Sequence, residues 1–150
     1  MKQTRRIRSM AVRELEQYIV VVTVRTPTNA DWDQYLEIYR SAETRAKRVL
    51  VHCSAPPNAA QRVRLRDAEG RTPCLKAVIA TTREARIAAI AINWFNPRMR
   101  IFGRNEVEAA LDYIGAFDAD RKLLHRTLDE MHDQLQKELT KPAPKLSPPI

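Results

Sequence analysis

Glycine and cysteine are scarce in this chain, and each shortage excludes a class of protein. Three glycines in 150 residues are too few for the many tight turns of a β-sandwich, whereas a charged fraction of 29% is typical of a helix-rich soluble protein. The two cysteines, Cys53 and Cys74, form no CxxC pair, so the sequence provides no disulfide framework and fits a reducing compartment. We therefore expect a helix-rich intracellular protein.

Long apolar segments are also missing. The longest apolar run covers residues 18–24 and is far shorter than the roughly 18 residues that a membrane-spanning helix needs. The basic segment MKQTRRIRSM at the amino terminus is not followed by an apolar stretch with a small-residue cleavage site, so it does not read as a secretory signal. Both absences predict a cytoplasmic protein that makes no membrane contact.

Sequence motifs of common enzymes, nucleotide-binding sites and zinc sites are absent as well. The sequence contains no Walker loop, no GxGxxG and no GxSxG, so phosphoryl transfer, dinucleotide binding and hydrolase chemistry have no anchor. The histidines at positions 52, 125 and 132 do not combine with the cysteines into a recognisable zinc spacing. We therefore expect no catalytic residues, no metal and no cofactor.

Positive charge is what the chain has in excess. The formal net charge is +8, and arginine supplies most of it. Clustered arginines can neutralise phosphates, bind an acidic protein or simply solvate helix faces. No nucleic-acid motif accompanies them, so nucleic-acid or nucleotide binding is kept as an alternative only. The clustered arginines are Arg5, Arg6, Arg8, Arg62, Arg64, Arg66, Arg83, Arg86, Arg98, Arg100 and Arg104.

The segment of residues 74–102 predicts a βαβ unit, around which the rest of the chain is organised. Parallel strands need a crossover of this length, and such crossovers are nearly always right-handed, so the segment predicts a layered, mostly parallel sheet. It reads as a buried strand over residues 75–80, a turn at Thr81 and Thr82, an alanine-rich helix closed by Asn96 and Pro97, and a short strand ending at Phe102.

Two sets of side chains are distinguished in the alanine-rich helix. Small residues are expected to let the backbone approach the sheet, and larger residues are expected to fill the core. The small set is Ala85, Ala88, Ala89 and Ala91, and the large set is Ile87, Ile90, Trp94 and Phe95.

The other elements follow from periodicity and capping residues. Strands are predicted at residues 7–12, 18–25 and Arg48–Cys53. A turn at residues 13–17 joins the first two, and the second reads as a central strand. Helices are predicted after Thr28 with an apolar stripe of Trp32, Tyr35, Leu36 and Tyr39, from Asn58 to about Asp67 with Gly70 as its stop, and from Asn105, with Glu108 completing a capping box, to Gly115.

A further amphipathic helix is predicted over residues 118–139, and a flexible proline-rich tail over 140–150, which leaves 1–117 as the single globular domain. The spacing of the apolar residues fits either a coiled-coil seam or a helix lying across its own domain, and the shortness of the repeat favours the second. Those residues are Leu124, Leu128, Met131 and Leu135.

Residues 18–115 resemble the STAS domain of bacterial anti-sigma-factor antagonists. The resemblance rests on the strings YIVVVTV, DWDQYLEIY, RVLVHCSAPPNAAQR, KAVIATTREARIAAIAINWFNP and IFGRNEVEAALDYIG. It implies a single α/β domain with a regulatory, protein-binding role. In the main family a phosphorylatable serine or threonine opens the helix after the strand that matches Arg48–Cys53. Here that helix opens with Asn58-Ala59-Ala60, and Ser54 is only a weak stand-in, so phosphorylation control lacks its usual residue.

Candidate site residues lie where the predicted strands end. In open α/β sheets, ligands bind beyond the carboxyl ends of the strands, where loops and helix amino termini converge. Arg83 and Arg104 oppose the dipole of the helices they begin, which points to a functional reason for them. The alternative is that the polar residues only cap helices. The candidates are Ser54, Asn58, Thr81, Thr82, Arg83, Arg104 and Asn105.

These observations predict a non-enzymatic regulatory interaction module. Its expected partner is a protein, for which an acidic surface would be the natural complement, and the chain itself is expected to be a monomer or a homodimer. Two alternatives stay open, which are nucleic-acid or nucleotide binding through the arginines and an enzyme for a small anionic substrate.

Overall fold

Strands and helices alternate along the part of the chain that the computed structural model describes, which comprises residues 8–41, 47–70 and 74–140. Arg5, Arg6, Ile7 and the predicted tail beyond residue 140 lie outside the described residues. The elements are β1 (Met10–Glu14), β2 (Tyr18–Thr23), α1 (Asn29–Arg40), β3 (Arg48–Cys53), α2 (Ala59–Glu69), β4 (Lys76–Ala80), α3 (Arg83–Asn93), β5 (Met99–Phe102), α4 (Val107–Tyr113) and α5 (Asp118–Thr140).

The sheet has the strand order β1-β2-β3-β4-β5. Only β1 is antiparallel to its neighbour, and the other three pairings are parallel. Because β4 and β5 are adjacent and parallel, the predicted βαβ unit is confirmed. Each parallel crossover joins neighbouring strands, so the three crossover helices, α1, α2 and α3, pack on the same face of the sheet.

The prediction for the first strand was wrong in its position. The strand is Met10–Glu14, so it includes two residues of the predicted turn. Pairing with β2 explains the shift, because Glu14 lies opposite Ile19 and the hairpin closes with Leu15 N donating to Tyr18 O at 2.8 Å. At the other end, β2 stops at Thr23, which leaves Arg25 in the loop beyond the sheet.

Two hydrophobic clusters hold the layers together, one on each face of the sheet. The predicted stripe of α1 is buried in the first cluster, together with Leu65 of α2 and Ala85 of α3. Thr28 caps α1 as predicted, because its hydroxyl accepts a hydrogen bond from Asp31 N at 3.1 Å. The second cluster joins the opposite face of the sheet to α4 and α5.

Helix α5 lies across its own sheet. All four predicted apolar residues of α5 are buried in the second cluster with Val20 and Val22 of β2. Arg13 of β1 donates to Glu130 at 2.6 Å, which adds a polar contact between the sheet and the helix. No helix in the described ranges is both long and apolar enough to cross a membrane.

The prediction for α3 was correct for three of the four alanines and wrong for three of the four large residues. Ala85, Ala88 and Ala89 face the sheet together with Ile92, whereas Ala91 is only half-buried. Phe95 packs against the first cluster from its edge. The other large side chains of the predicted core point away from the sheet and are exposed, and these are Ile87, Ile90 and Trp94.

Candidate functional site

The carboxyl ends of β3 and β4 meet at one edge of the sheet and bring two hydroxyls together. Thr81 Oγ1 donates to Ser54 Oγ at 2.9 Å, and Thr81 N donates to Cys53 O at 2.9 Å. On the other side, Ser54 N donates to Thr23 O at 3.0 Å, which joins the end of β2 to the same edge. We call the loops that follow β2, β3, β4 and β5 the strand-end edge.

Thr82 uses its hydroxyl for structure. Thr82 Oγ1 accepts from Ala85 N at 3.1 Å and donates to Ser54 O at 2.9 Å. The first bond caps α3, and the second fixes the start of α3 to the loop after β3. Thr82 therefore caps a helix, which was the alternative to ligand binding in the sequence analysis.

Asn58 is also a helix cap. Its side chain accepts from Gln61 N at 2.8 Å, and Gln61 Oε1 accepts from Asn58 N at 2.9 Å, which completes a capping box. Gln61 Nε2 then donates to Pro27 O at 2.7 Å, so the box ties the start of α2 to the loop after β2. Asn58 thus positions the neighbouring loops of the edge.

The predicted capping role of Asn105 is wrong. The residue at the cap position of α4 is Glu106, and its side chain makes no cap hydrogen bond. Instead, Glu106 Oε1 accepts from Gly103 N at 2.7 Å, while Glu106 N donates to Gly103 O at 3.0 Å. These two bonds close a turn, so α4 begins one residue later than predicted. Asn105 is exposed within that turn.

Arginines come from three loops of the strand-end edge. Arg104 is exposed and reaches back over the edge, where its Nη2 donates to Thr81 O at 3.3 Å. Arg83 is exposed at the first position of α3. Arg25, which we predicted to lie within a strand, is exposed in the loop after β2. A shorter estimate of that strand would have placed Arg25 at the edge from sequence alone.

These three arginines differ from several others in their partners. Arg13, Arg64 and Arg121 each form an ion pair with an acidic side chain. Within the described ranges, the ion pairs include no carboxylate partner for the edge arginines. Their charge is therefore available to a ligand from outside.

A pair of histidines lies beneath the edge. The rings of His52 on β3 and His132 on α5 meet edge to face, with centroids 4.4 Å apart and an interplanar angle of 88°. Burial lowers the pKa of His52 to about 4, and the nearby charges of His132 and Arg104 act in the same direction. His52 Nδ1 is buried and makes no hydrogen bond to the described residues. Burial lowers the pKa of His132 as well, so both rings favour the neutral form, and their contact packs α5 onto the sheet.

A buried ion pair that the sequence analysis missed lies at the opposite end of the strands. Lys76 Nζ donates to Glu69 Oε1 at 2.7 Å, and both side chains are buried. Tyr39 OH donates to the same carboxylate oxygen at 2.9 Å. Burial opposes the charge of Lys76, but the surrounding Tyr35, Tyr39 and Glu69 outweigh it and raise the pKa of Lys76 above its usual value. The pair joins α1, α2 and β4 and is remote from the strand-end edge.

The two cysteines are free and buried, as expected. Cys53 ends β3, whereas Cys74 precedes β4, so they lie at opposite ends of neighbouring strands. Burial raises the pKa of both thiols, which disfavours the reactive thiolate. Among the described residues, no group of three or more potential metal ligands is close enough to hold an ion.

A small cavity lies between α3 and the sheet. Its volume is about 50 Å³, and its lining is mostly apolar, with Trp32, Val51, Val78 and Ala88 among the contributing residues. Because α3 contacts the sheet mainly through alanines, it leaves this gap unfilled. The cavity is much smaller than the several hundred Å³ of a typical small-molecule site.

The outer stripe of α3, which consists of Ile87, Ile90 and Trp94, is the second surface feature that the sequence analysis missed. These side chains are 59%, 45% and 85% exposed. They recur at three- and four-residue spacing and so form one continuous face that begins beside Arg83. The helix is therefore apolar on two opposite sides, although only one of them contacts the sheet.

Comparison with known proteins identifies the fold. No protein-family model matches the chain, and no curated protein matches it. A solved structure that is similar to this chain is an uncharacterized protein of the DUF3478 family with a SpoIIAA-like fold from Shewanella loihica PV-4. The two share 20% sequence identity over 75% of this chain and 99% of that chain, with a TM-score of 0.54. The chain is an α/β protein with the SpoIIAA-like, or STAS-like, fold.

Proposed function

We propose that this chain is a non-enzymatic regulatory module that binds an acidic protein surface at its strand-end edge. The observation that best supports the proposal is the set of three exposed arginines at the edge, Arg25, Arg83 and Arg104, without carboxylate partners in the described ranges. Guanidinium groups can bind carboxylates through paired hydrogen bonds.

The loops of the edge are held in place before any partner binds. Ser54 and Thr81 share a hydrogen bond, and Arg104 is oriented by the carbonyl of Thr81. A partner therefore meets an ordered surface and loses little free energy in ordering it. Fold alone does not determine function, and the STAS-like fold adds only the analogy with regulatory proteins.

A pull-down from the native cell tests the proposal. The bait proteins are wild type, Arg25→Glu, Arg104→Glu and the control Arg126→Glu, which makes the same charge reversal at an exposed position of α5 outside the strand-end edge. We expect Arg25→Glu and Arg104→Glu to reduce recovery of the acidic partner roughly tenfold or more, because each places a negative charge against a negative surface. Arg126→Glu should recover the partner as wild type does.

Equal recovery by all four baits would contradict the proposal and would locate recognition elsewhere. The nucleic-acid alternative has a separate signature, because affinity for generic DNA or RNA would fall steeply as salt is raised. A fluorescence-anisotropy titration at low salt that detects such binding, together with unchanged protein recovery, would favour that alternative.

A further inference from the structure

The outer stripe of α3 needs an occupant that covers it. A helix that is apolar on both sides is normally covered on both sides, and contiguous exposed apolar residues mark interaction surfaces. Trp94 alone leaves 85% of its surface accessible, and large aromatic side chains are typical anchors of protein interfaces. The stripe is about 16 Å long from Arg83 to Trp94, as expected for this stretch of helix.

The spacing of the stripe is symmetric. Arg83, Ile87, Ile90 and Trp94 are separated by four, three and four positions, and this order of spacings is the same when it is read backwards. An antiparallel copy of α3 therefore places each isoleucine against an isoleucine. The same arrangement places Arg83 against the Trp94 ring of the other copy at both ends of the pair.

The ends of the pair also suit the positive charge of Arg83. Arg83 lies at the amino terminus of α3, where the helix dipole disfavours a positive charge. In an antiparallel pair, that terminus lies beside the carboxyl terminus of the other copy, where the dipole favours positive charge. A guanidinium group over the face of a tryptophan ring is also attracted to the ring. Pairing thus relieves the unfavourable position of Arg83.

We infer that the occupant of the outer stripe is α3 of a second copy of this chain, in an antiparallel homodimer. The dimer uses Arg83 at its interface and leaves Arg25 and Arg104 for the partner at the strand-end edge. One helix face is small compared with the roughly 1,200 Å² or more that stable interfaces bury, so the dimer should be weak and concentration-dependent. The two proposals share Arg83, but the isoleucines and Trp94 of the dimer interface lie outside the strand-end edge, and Arg25 and Arg104 lie outside the dimer interface.

Sedimentation velocity over a range of concentrations tests the inference with a matched pair of variants. Ile90 and Val63 are both β-branched, both lie within helices, and both are 45% exposed. We expect the full-length wild type to shift from monomer to dimer as its concentration rises into the micromolar range. Ile90→Glu should weaken association roughly tenfold or more because it places two carboxylates in the apolar pair, and Val63→Glu should leave it unchanged.

A swap experiment tests the register. Trp94→Arg brings two guanidinium groups together at each end of the pair, so it should weaken the dimer. The double variant Arg83→Trp/Trp94→Arg exchanges the two residues and restores the pairing of arginine with tryptophan, so it should associate more tightly than Trp94→Arg alone. Circular dichroism melting of each variant checks that it remains folded.

Several outcomes would overturn the inference. These are a wild type that stays monomeric at all concentrations, equal effects of Ile90→Glu and Val63→Glu, and a double variant that associates no more tightly than Trp94→Arg. None of them bears on the proposed function, whose test depends on Arg25 and Arg104. Raising the salt concentration should not weaken the dimer, because salt screens the repulsion between two copies of charge +8.

Discussion

The ion pair of Lys76 and Glu69 fixes three elements through a single carboxylate. Glu69 ends α2, Lys76 begins β4, and Tyr39 near the end of α1 binds the same oxygen of Glu69. Asn96 Nδ2 lies 3.4 Å from that oxygen and donates to Cys74 O at 3.2 Å. A buried pair of this kind contributes mainly by satisfying charges that would otherwise be costly to bury.

Removing one charge of this pair should lower the free energy of unfolding more than removing both charges. Lys76→Met leaves Glu69 charged and unpaired, so we expect the free energy of unfolding to fall by about 3 to 5 kcal/mol. Lys76→Met/Glu69→Gln removes both charges and keeps an acceptor for Tyr39, so it should regain at least half of that loss. Urea denaturation measures both values. A double variant as unstable as the single one would contradict this account of the pair.

The histidine pair predicts how stability depends on pH. The pKa of His52 is lowered from 6.5 to about 4 in the folded state by burial, so the unfolded chain takes up the proton first as pH falls. Stability should be full above about pH 6.5 and should decline towards pH 4. A shift of this size is worth roughly 3 kcal/mol in a fully buried site, and we expect about half of that because the ring is partly exposed.

Melting temperatures recorded between pH 7 and pH 4 test this expectation. His52→Gln cannot take up the proton, so its melting temperature should fall less over this range than that of wild type. An equal fall in the melting temperatures of both proteins would show that His52 does not contribute to the pH dependence of stability. Arg104 beside the edge and His132 also lower the pKa of His52. Burial lowers the pKa of His132, and Asp129 and Asp133 on the same helix oppose that change.

At the residue scale, sequence predicted caps better than buried charges. Asn58 and Thr82 were identified because side-chain oxygens before apolar periodic segments cap helices. Lys76 was missed because an isolated lysine in an apolar run gives no sign of a distant carboxylate. Glu69 lies in another helix, and only the packing of α2 on β4 brings the two together.

At the scale of elements, α3 shows why a hydrophobic pattern cannot always orient a helix. Its alanines and its isoleucines both recur at helical spacing, on opposite sides. Because isoleucine has more apolar surface than alanine, the pattern favours burial of Ile87 and Ile90. In the structure, the side of α3 that contacts the sheet instead carries the alanines and Ile92. Helix α1 was predicted correctly because it has only one apolar stripe.

Variants of Thr82 test whether the cap of α3 stabilises the fold. Thr82→Ala removes the acceptor for Ala85 N and the donor to Ser54 O, so we expect the free energy of unfolding to fall by about 1 kcal/mol. Thr82→Ser keeps the hydroxyl and should change stability by only a few tenths of a kcal/mol. Thermal unfolding followed by circular dichroism compares the two. An unaffected Thr82→Ala would show that the cap does not stabilise α3.

At the scale of the whole molecule, topology brings the loops that follow the parallel strands to one edge of the sheet. The four strands from β2 to β5 are parallel, so the loops that follow them lie together, and the described residues place Arg25, Arg83 and Arg104 in those loops. The sequence predicted this convergence for Arg83 and Arg104, because the βαβ unit determines strand direction, but it placed Arg25 within a strand. It did not predict which arginines would lack carboxylate partners, because ion pairs such as Arg64 with Asp33 depend on how neighbouring helices pack.

Photo-cross-linking in the native cell tests most directly whether the strand-end edge is the recognition surface. A photoreactive phenylalanine derivative replaces Arg104 in one protein and Arg126 in a control, since both positions are exposed but only Arg104 belongs to the strand-end edge. We predict that position 104 yields a cross-linked acidic protein and that position 126 does not. Equal adducts from both positions, or adducts from position 126 alone, would contradict the account.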